Sequence, residues 1–133
     1  MLAVLILLAA DARYGVEADT KAFPQSTPKE ALASVLKAIE AKKFSYLVAH
    51  LAEQGFIDDR VKRVYGGKFS EQVDDTRARL DAFATRQLAR LLKDGKWTEG
   101  KEEASVASED VPDRTAHFVR KDGRWFLMHR FGR

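Results

Sequence analysis

The chain has 133 residues, of which 45% are hydrophobic and 32% charged, as expected for a single globular domain. The net charge of +3 is too small to indicate nucleic-acid binding. The chain contains no cysteine, which excludes disulfide bonds, thiolate zinc sites, a cysteine nucleophile and a cysteine-linked lipid anchor.

The first ten residues form one unbroken apolar run, Met1-Leu-Ala-Val-Leu-Ile-Leu-Leu-Ala-Ala10. Ala10 and Ala12 then place small residues at the −3 and −1 positions of a cleavage site. The run is too short to span a bilayer. It predicts a signal peptide over residues 1–12 and an exported protein, periplasmic or secreted. The alternative is a buried helix or strand of the domain.

Residues 13–26 show no hydrophobic periodicity and are predicted to be a linker, followed by one domain over residues 27–133. A helix begins after Thr27, because Thr27 can cap it, Pro28 suits the first helical position and Glu30 can complete a capping box. Apolar residues at helical spacing extend this helix to about residue 41.

Three more helices are predicted before the spacing of apolar residues changes. The first covers 44–53 and ends at Gly55 in the left-handed conformation. The second covers 56–65 and ends at two glycines. The longest covers 70–93 and stops at Gly95.

After Gly95 the apolar residues alternate, which predicts an antiparallel meander of three or four strands. Its strongest signal is the pair Asp122-Gly123 between two apolar runs. A two-residue type I′ turn needs positive φ at both positions, which Asp tolerates and Gly adopts freely. The predicted fold class is α+β, with N-terminal helices packed on a C-terminal antiparallel meander.

The Asp122-Gly123 turn also fixes which strand residues share a face of the sheet. It pairs Arg120 with Trp125 and Phe118 with Leu127. We expect one face to meet the helices; its members are Ala116, Phe118, Trp125, Leu127, His129 and Phe131. The other face is more apolar than a solvated sheet should be, and its apolar members are Val119, Phe126 and Met128. This composition predicts partial cover by a partner or by the N-terminal segment.

Short capped helices, a longer helix and a meander that ends in Asp122-Gly-Arg-Trp125 resemble the NTF2-like (cystatin-like α+β) superfamily over residues 27–131. The segments Thr27-Pro-Lys-Glu-Ala-Leu32 and Arg60-Val-Lys-Arg-Val-Tyr-Gly-Gly-Lys-Phe69 are similar to small exported bacterial proteins of the planctomycete type. The resemblance implies a cavity beneath the sheet. It implies no single reaction, because the superfamily includes both enzymes and binding modules.

Five residues are candidates for lining such a pocket: Tyr65, Phe118, Arg120, Trp125 and His129. In this interpretation the pocket is largely apolar, and Tyr65, Arg120 and His129 are its polar groups. The alternative is that the aromatic side chains belong to the hydrophobic core.

The sequence offers little for catalysis or for metal binding. Related enzymes place a carboxylate or an Asp/His pair in the cavity, whereas the inward-facing strand positions here offer His129 and no acid. Asp58 and Asp59 are the nearest helix-borne acids, at a predicted helix start where capping is expected. His117 and His129 fall on opposite faces of the hairpin, and His50 lies apart from both. We therefore predict no metal site and no cofactor, and assign no catalytic residue.

The predicted function is an exported, non-catalytic binding or envelope-associated module. One alternative is a small-molecule enzyme of the isomerase or cyclase type that uses His129 with a helix-borne acid. Another is a protein-interaction domain that dimerises through the outer sheet face. The expected partner is a small apolar ligand or a second copy of the chain, without nucleic acid and without a membrane span in the mature chain.

Overall fold

The structure, a computed structural model, describes residues 12–128 and has the predicted α+β class. The helices are α1 (Pro28–Glu40), α2 (Phe44–Tyr46), which continues into a π-helical turn (Leu47–Leu51), α3 (Gln54–Arg63), α4 (Phe69–Arg79) and α5 (Ala82–Asp94). The strands are β1 (Ala12–Arg13), β2 (Val16–Glu17), β3 (Lys96–Glu99), β4 (Glu103–Ala107), β5 (Ala116–Lys121) and β6 (Arg124–Leu127). Residues 1–11 of the predicted signal peptide, and both His129 and Phe131, lie outside the described residues.

Helix α1 begins as its sequence predicts. The Thr27 hydroxyl accepts a hydrogen bond from the Glu30 amide at 3.0 Å, and Pro28 occupies the first turn. The Glu30 carboxylate reaches back to the amide of Ser26 at 2.9 Å. Two otherwise unpaired amides are thus satisfied by side chains close in sequence, which explains why a local pattern locates this helix start.

The prediction of a single long helix over 70–93 is wrong, because the chain bends at Leu80 and Asp81 and forms two helices. Leu80 leaves the helical conformation with φ −95° and ψ 57°, which ends α4. The Asp81 carboxylate then caps α5 by accepting a hydrogen bond from the Ala84 amide at 2.9 Å. An aspartate can accept hydrogen bonds from the free amides of a new helix start, so a break at this position costs little free energy.

Gly55 does not end the second helix, and that prediction is also wrong. It lies in the first turn of α3, which is capped by Glu53. The Glu53 carboxylate accepts hydrogen bonds from the amides of Gly55 and Phe56 at 2.8 and 2.9 Å. The Glu53 amide also donates to the carbonyl of Leu127 at 2.8 Å, which joins the start of α3 to the edge of β6.

Residues 13–26 differ from the predicted linker because they are packed against the domain. The Arg13 side chain donates to the carbonyl of Ala49 at 2.6 Å, and Phe23 is only 3% exposed. The Gln25 amide group donates to the carbonyl of Trp125 at 2.9 Å. Individual side chains anchor this segment, so it has no periodic apolar face that could reveal its packing.

The meander has the strand order β3-β4-β5-β6 and the predicted hairpin register. Arg120 pairs with Trp125 and Phe118 pairs with Leu127. The inner face packs against α1 and α5, and the buried residues of this core are Ala31, Leu32, Leu88, Leu91, Ala104, Val106, Val111, Ala116, Phe118 and Trp125. The sheet is therefore half of a two-layer structure whose other half is helical.

The outer face of the sheet is more enclosed than its strand alternation alone would suggest. Phe126 is 2% exposed, and Val119 is half-buried. The Arg124 guanidinium lies 5.4 Å from the centroid of the Phe126 ring. Phe126 therefore offers almost no surface through which a second copy of the chain could bind.

We expect Gly123→Val to lower the free energy of unfolding by about 1 kcal/mol or more. Asp122 and Gly123 have φ values of 52° and 77°, and a β-branched residue is strained in this region. No atom beyond the chain neighbours of Gly123 lies within 4 Å of an added Cβ, so the cost is conformational. Urea denaturation measures it, with Gly123→Asn as the control because Asn tolerates positive φ. Equal stability of the two variants would contradict a left-handed requirement.

Candidate functional site

A cavity lies between the α4–α5 bend and the end of the β5–β6 hairpin opposite its turn. Its volume is about 70 Å³, and it is partly open to solvent. Most of its lining is apolar; these residues are Leu47, Ala52, Ile57, Leu80, Leu88, Ala116, Leu127 and Met128. The polar residues of the lining are Thr76, Arg79, Arg114 and Thr115.

The local structure explains why a space opens at this place. The bend at Leu80 turns α5 away from the line of α4 and places Leu80 in the cavity wall. Ala52 forms a parallel bridge with Leu127, so the end of the π-helical turn is fixed to the edge of β6. The small side chain of Ala116 leaves the sheet side of the cavity unfilled.

Arg114 lies at the cavity just before β5 and is half-buried. Its Nε donates to the side-chain oxygen of Gln87 on α5 at 2.7 Å. Among residues 12–128, no carboxylate lies within the 4.0 Å of a salt bridge to Arg114. Its guanidinium is held in place by a neutral group, and no carboxylate of the described residues compensates its charge.

Arg79 brings a second guanidinium to the same cavity, from the last turn of α4. Its Nε lies 2.9 Å from an oxygen of Asp75, and a guanidinium nitrogen of Arg60 lies 3.7 Å from the same oxygen. Two arginines therefore share one carboxylate. The lining carries positive charge without a carboxylate among the described residues that form it.

Thr76 supplies the remaining polar group that is deeply buried, with 9% of its surface exposed. Its hydroxyl accepts a hydrogen bond from the side-chain Nε2 of Gln72 at 3.1 Å, and the side-chain Oε1 of Gln72 accepts one from Arg60 Nε at 3.1 Å. Because Gln72 donates to the hydroxyl oxygen, the hydroxyl hydrogen of Thr76 remains available to a bound group.

Two of the predicted pocket residues lie in the hydrophobic core. Phe118 is 0% exposed and Trp125 is 4% exposed, and both pack among the buried residues between the sheet and α1 and α5. The Phe118 ring is tilted against Trp97, with 5.8 Å between the ring centroids. Neither residue lines the cavity.

Neither of the two polar candidates that the structure describes reaches the cavity. Tyr65 follows α3, where its hydroxyl accepts a hydrogen bond from Arg60 at 3.2 Å. Arg120 is exposed near the hairpin turn, and neither Tyr65 nor Arg120 lines the cavity. His129 lies outside the described residues, directly after the cavity residue Met128.

Sequence reasoning missed the arginines of the cavity. Arg79 lies among alternating acidic and basic residues of the helix predicted over 70–93, a pattern typical of a solvated face, and its place in the cavity wall depends on the bend at Leu80. Arg114 lies in an irregular segment before β5 and contacts Gln87, which is 27 residues away. A partial signal was present, since Arg114-Thr115 immediately precedes Ala116, the first inward-facing residue of β5.

Neither of the helix-borne acids considered for catalysis lines the cavity. Asp58 lies on α3, where an Arg13 nitrogen and the Tyr14 hydroxyl donate to it at 2.7 and 2.6 Å. Burial alone would raise the pKa of Asp58, but these hydrogen bonds and the Arg13 charge outweigh burial and lower it. Burial and the bond to Asp58 raise the pKa of Tyr14 to about 12. Asp59 pairs with Arg63 at 2.9 Å, and Glu53 caps the helix instead.

Within residues 12–128, no group of three or more His, Asp and Glu side chains could hold a metal ion. His50 is fully buried, and its Nε2 lies 2.6 Å from the carbonyl oxygen of Val16, so it helps to hold β2. No helix in the same described range is both long enough and apolar enough to cross a membrane.

No family model, no curated protein and no solved structure matches the chain. A functional conclusion therefore depends on the chemistry of the cavity itself. That chemistry combines an apolar wall, two guanidinium groups and one buried hydroxyl.

Proposed function

We propose that this chain is an exported binding module of the NTF2-like type, which takes a small apolar group into the cavity between its helices and its sheet. The observation that carries the proposal is the cavity itself, about 70 Å³ in volume with a mostly apolar wall. The succession of helices and meander supports the family relationship, and the apolar run of residues 1–10 supports export.

The size of the cavity limits what it can enclose. Small-molecule pockets usually measure about 300–1,000 Å³. A cavity of roughly 150 Å³ is large enough for benzene. The space of about 70 Å³ therefore suits a few carbon atoms, either a very small ligand or one end of a longer one.

An unfilled apolar cavity is itself unfavourable. A bound apolar group restores the missing contacts, which provides a physical driving force for binding.

Binding is favoured over catalysis by the groups that line the cavity. Among the described lining residues there is no Asp, Glu or His that could act as a general acid or base. Asp58 is held ionised by Arg13 and Tyr14 outside the cavity. The groups present can position a ligand and can stabilise a charge on it.

We expect Ala116→Val to abolish binding of four-carbon probes without lowering stability. Val adds two methyl groups to a residue of the cavity wall, and cavity filling commonly raises stability by about 0.5–2 kcal/mol. Sodium butanoate and 1-butanol are titrated into ¹⁵N-labelled protein, and the amide shifts around Leu80 and Leu127 are followed.

The matched control is Ala104→Val, on the inner face of the neighbouring strand but outside the cavity lining. Overpacking of this core position is expected to cost about 1–3 kcal/mol of stability while probe binding remains. The proposal fails if neither probe shifts the cavity amides of the unsubstituted chain.

A further inference from the structure

The cavity has a charged mouth as well as an apolar interior, and the charge identifies a class of ligand. We propose that the cavity binds a short-chain monocarboxylic acid, with its aliphatic end inside and its carboxylate on the guanidinium of Arg114. This inference rests on the proposed function, because it specifies the ligand of the same cavity.

The Arg114 guanidinium has hydrogen-bond donors available for an anion. Its bond to Gln87, at 2.7 Å, uses only Nε. Among the described residues, the two terminal nitrogens of the guanidinium have no acceptor. They present paired N–H donors, the arrangement that matches the two oxygens of a carboxylate.

The position of Arg114 makes an anionic partner favourable. The residue is half-buried, so part of the hydration of its charge is lost without compensation from a carboxylate of the described residues. A ligand carboxylate would compensate the charge and accept hydrogen bonds in the same step. The bond to Gln87 restricts the side chain, which reduces the entropy lost on binding.

The other polar groups of the lining favour the same sign of charge. Arg79 adds a second guanidinium, and its neighbour Asp75 is shared with Arg60. The hydroxyl hydrogen of Thr76 can be donated to an anion. A ligand with a positively charged end would be repelled by the guanidinium of Arg114.

The volume of the cavity limits the length of the aliphatic tail that a ligand can place inside it. The space is about half of the roughly 150 Å³ that accommodates benzene, so an aliphatic tail of about three carbons fills it. Affinity should rise about fourfold for each methylene from acetate to butanoate and then level off. Longer acids would leave their additional carbons in water.

The test compares three probes of four carbons each on the full protein at constant ionic strength: sodium butanoate, 1-butanol and butylammonium chloride. Amide shifts report their dissociation constants. We expect butanoate to bind at least tenfold more tightly than 1-butanol, and butylammonium to bind most weakly. This comparison needs no substitution, so it does not depend on whether a variant folds.

The Arg114→Gln variant should bind butanoate and 1-butanol equally, because only the charge recognition is lost. Arg86→Gln is the matched control, since Arg86 is exposed on α5 and does not line the cavity; it should retain the preference. Dispersed amide spectra confirm that both variants are folded.

The possible outcomes separate the two proposals. If 1-butanol binds the unsubstituted chain as tightly as butanoate, the carboxylate inference is overturned and the apolar binding function stands. If Arg114→Gln keeps the preference for butanoate, Arg114 is not the anion-binding residue. If no probe binds, both proposals fail.

Discussion

Replacing Phe118 with alanine is expected to lower the free energy of unfolding by about 3–5 kcal/mol. Phe118 is 0% exposed, and on β5 it lies between Ala104 of β4 and Leu127 of β6. Its ring also contacts Trp97, with 5.8 Å between the centroids. Truncation removes these contacts and leaves a cavity that the two neighbouring strands hold open.

Urea denaturation followed by tryptophan fluorescence measures the loss. The matched control is Val119→Ala at the next position of β5, which faces the other side of the sheet and is half-buried. It should cost less than half as much. A loss below about 1 kcal/mol for Phe118→Ala would contradict a core role for this residue.

The same variant separates the core interpretation of Phe118 from its predicted role in a ligand pocket. Phe118 does not line the cavity, so the folded fraction of Phe118→Ala should still bind butanoate. Loss of binding in a protein that remains folded would show that the aromatic residues of the inner face reach the ligand.

Local sequence signals were sufficient for the elements that local chemistry determines. The start of α1 follows from Thr27 and Glu30, whose side chains bond amides within four residues. The register of β5 and β6 follows from Asp122 and Gly123, because the turn fixes every pairing beyond it.

The features that were missed depend on contacts between distant parts of the chain. Residues 13–26 are held by individual bonds such as that of Arg13 to Ala49, 36 residues away. The break at Leu80 and Asp81 interrupts an apolar stripe that would fit one continuous helix. Helix propensity is a weak prior that tertiary packing overrides at such positions.

The candidate site was harder to predict than the fold for a related reason. The large aromatic side chains of Phe118 and Trp125 have the chemistry of a ligand pocket, but side chains of this size also fill the well-packed core, where both residues lie. The cavity opens instead where small and branched residues meet a helix bend, beside Ala116 and Leu80. No short sequence pattern predicts this arrangement, because the cavity is the space that the packed side chains leave unfilled.

Gly95→Ala and Gly55→Ala are expected to change stability in opposite directions. Gly95 follows α5, with an ordinary φ of −70°, so it is not required there for a left-handed conformation. A Cβ at this position would come within 3.0 Å of Val106 Cγ2 and of the Leu91 carbonyl oxygen. Val106 is fully buried, and the carbonyl accepts the amide of Gly95 at 2.9 Å, so neither can move easily. We expect a loss of about 1–3 kcal/mol.

Gly55 lies in the first turn of α3, and an added Cβ would meet only the Glu53 carboxylate, 3.2 Å away at the end of a flexible side chain. Alanine there should raise stability by about 0.4–1 kcal/mol, because it restricts the unfolded chain and favours the helix. The two variants are compared by their urea midpoints at the same denaturant slope. A gain in stability for both variants would mean that α5 and β4 leave room for a Cβ at position 95. Gly95 would then serve only to end the helix.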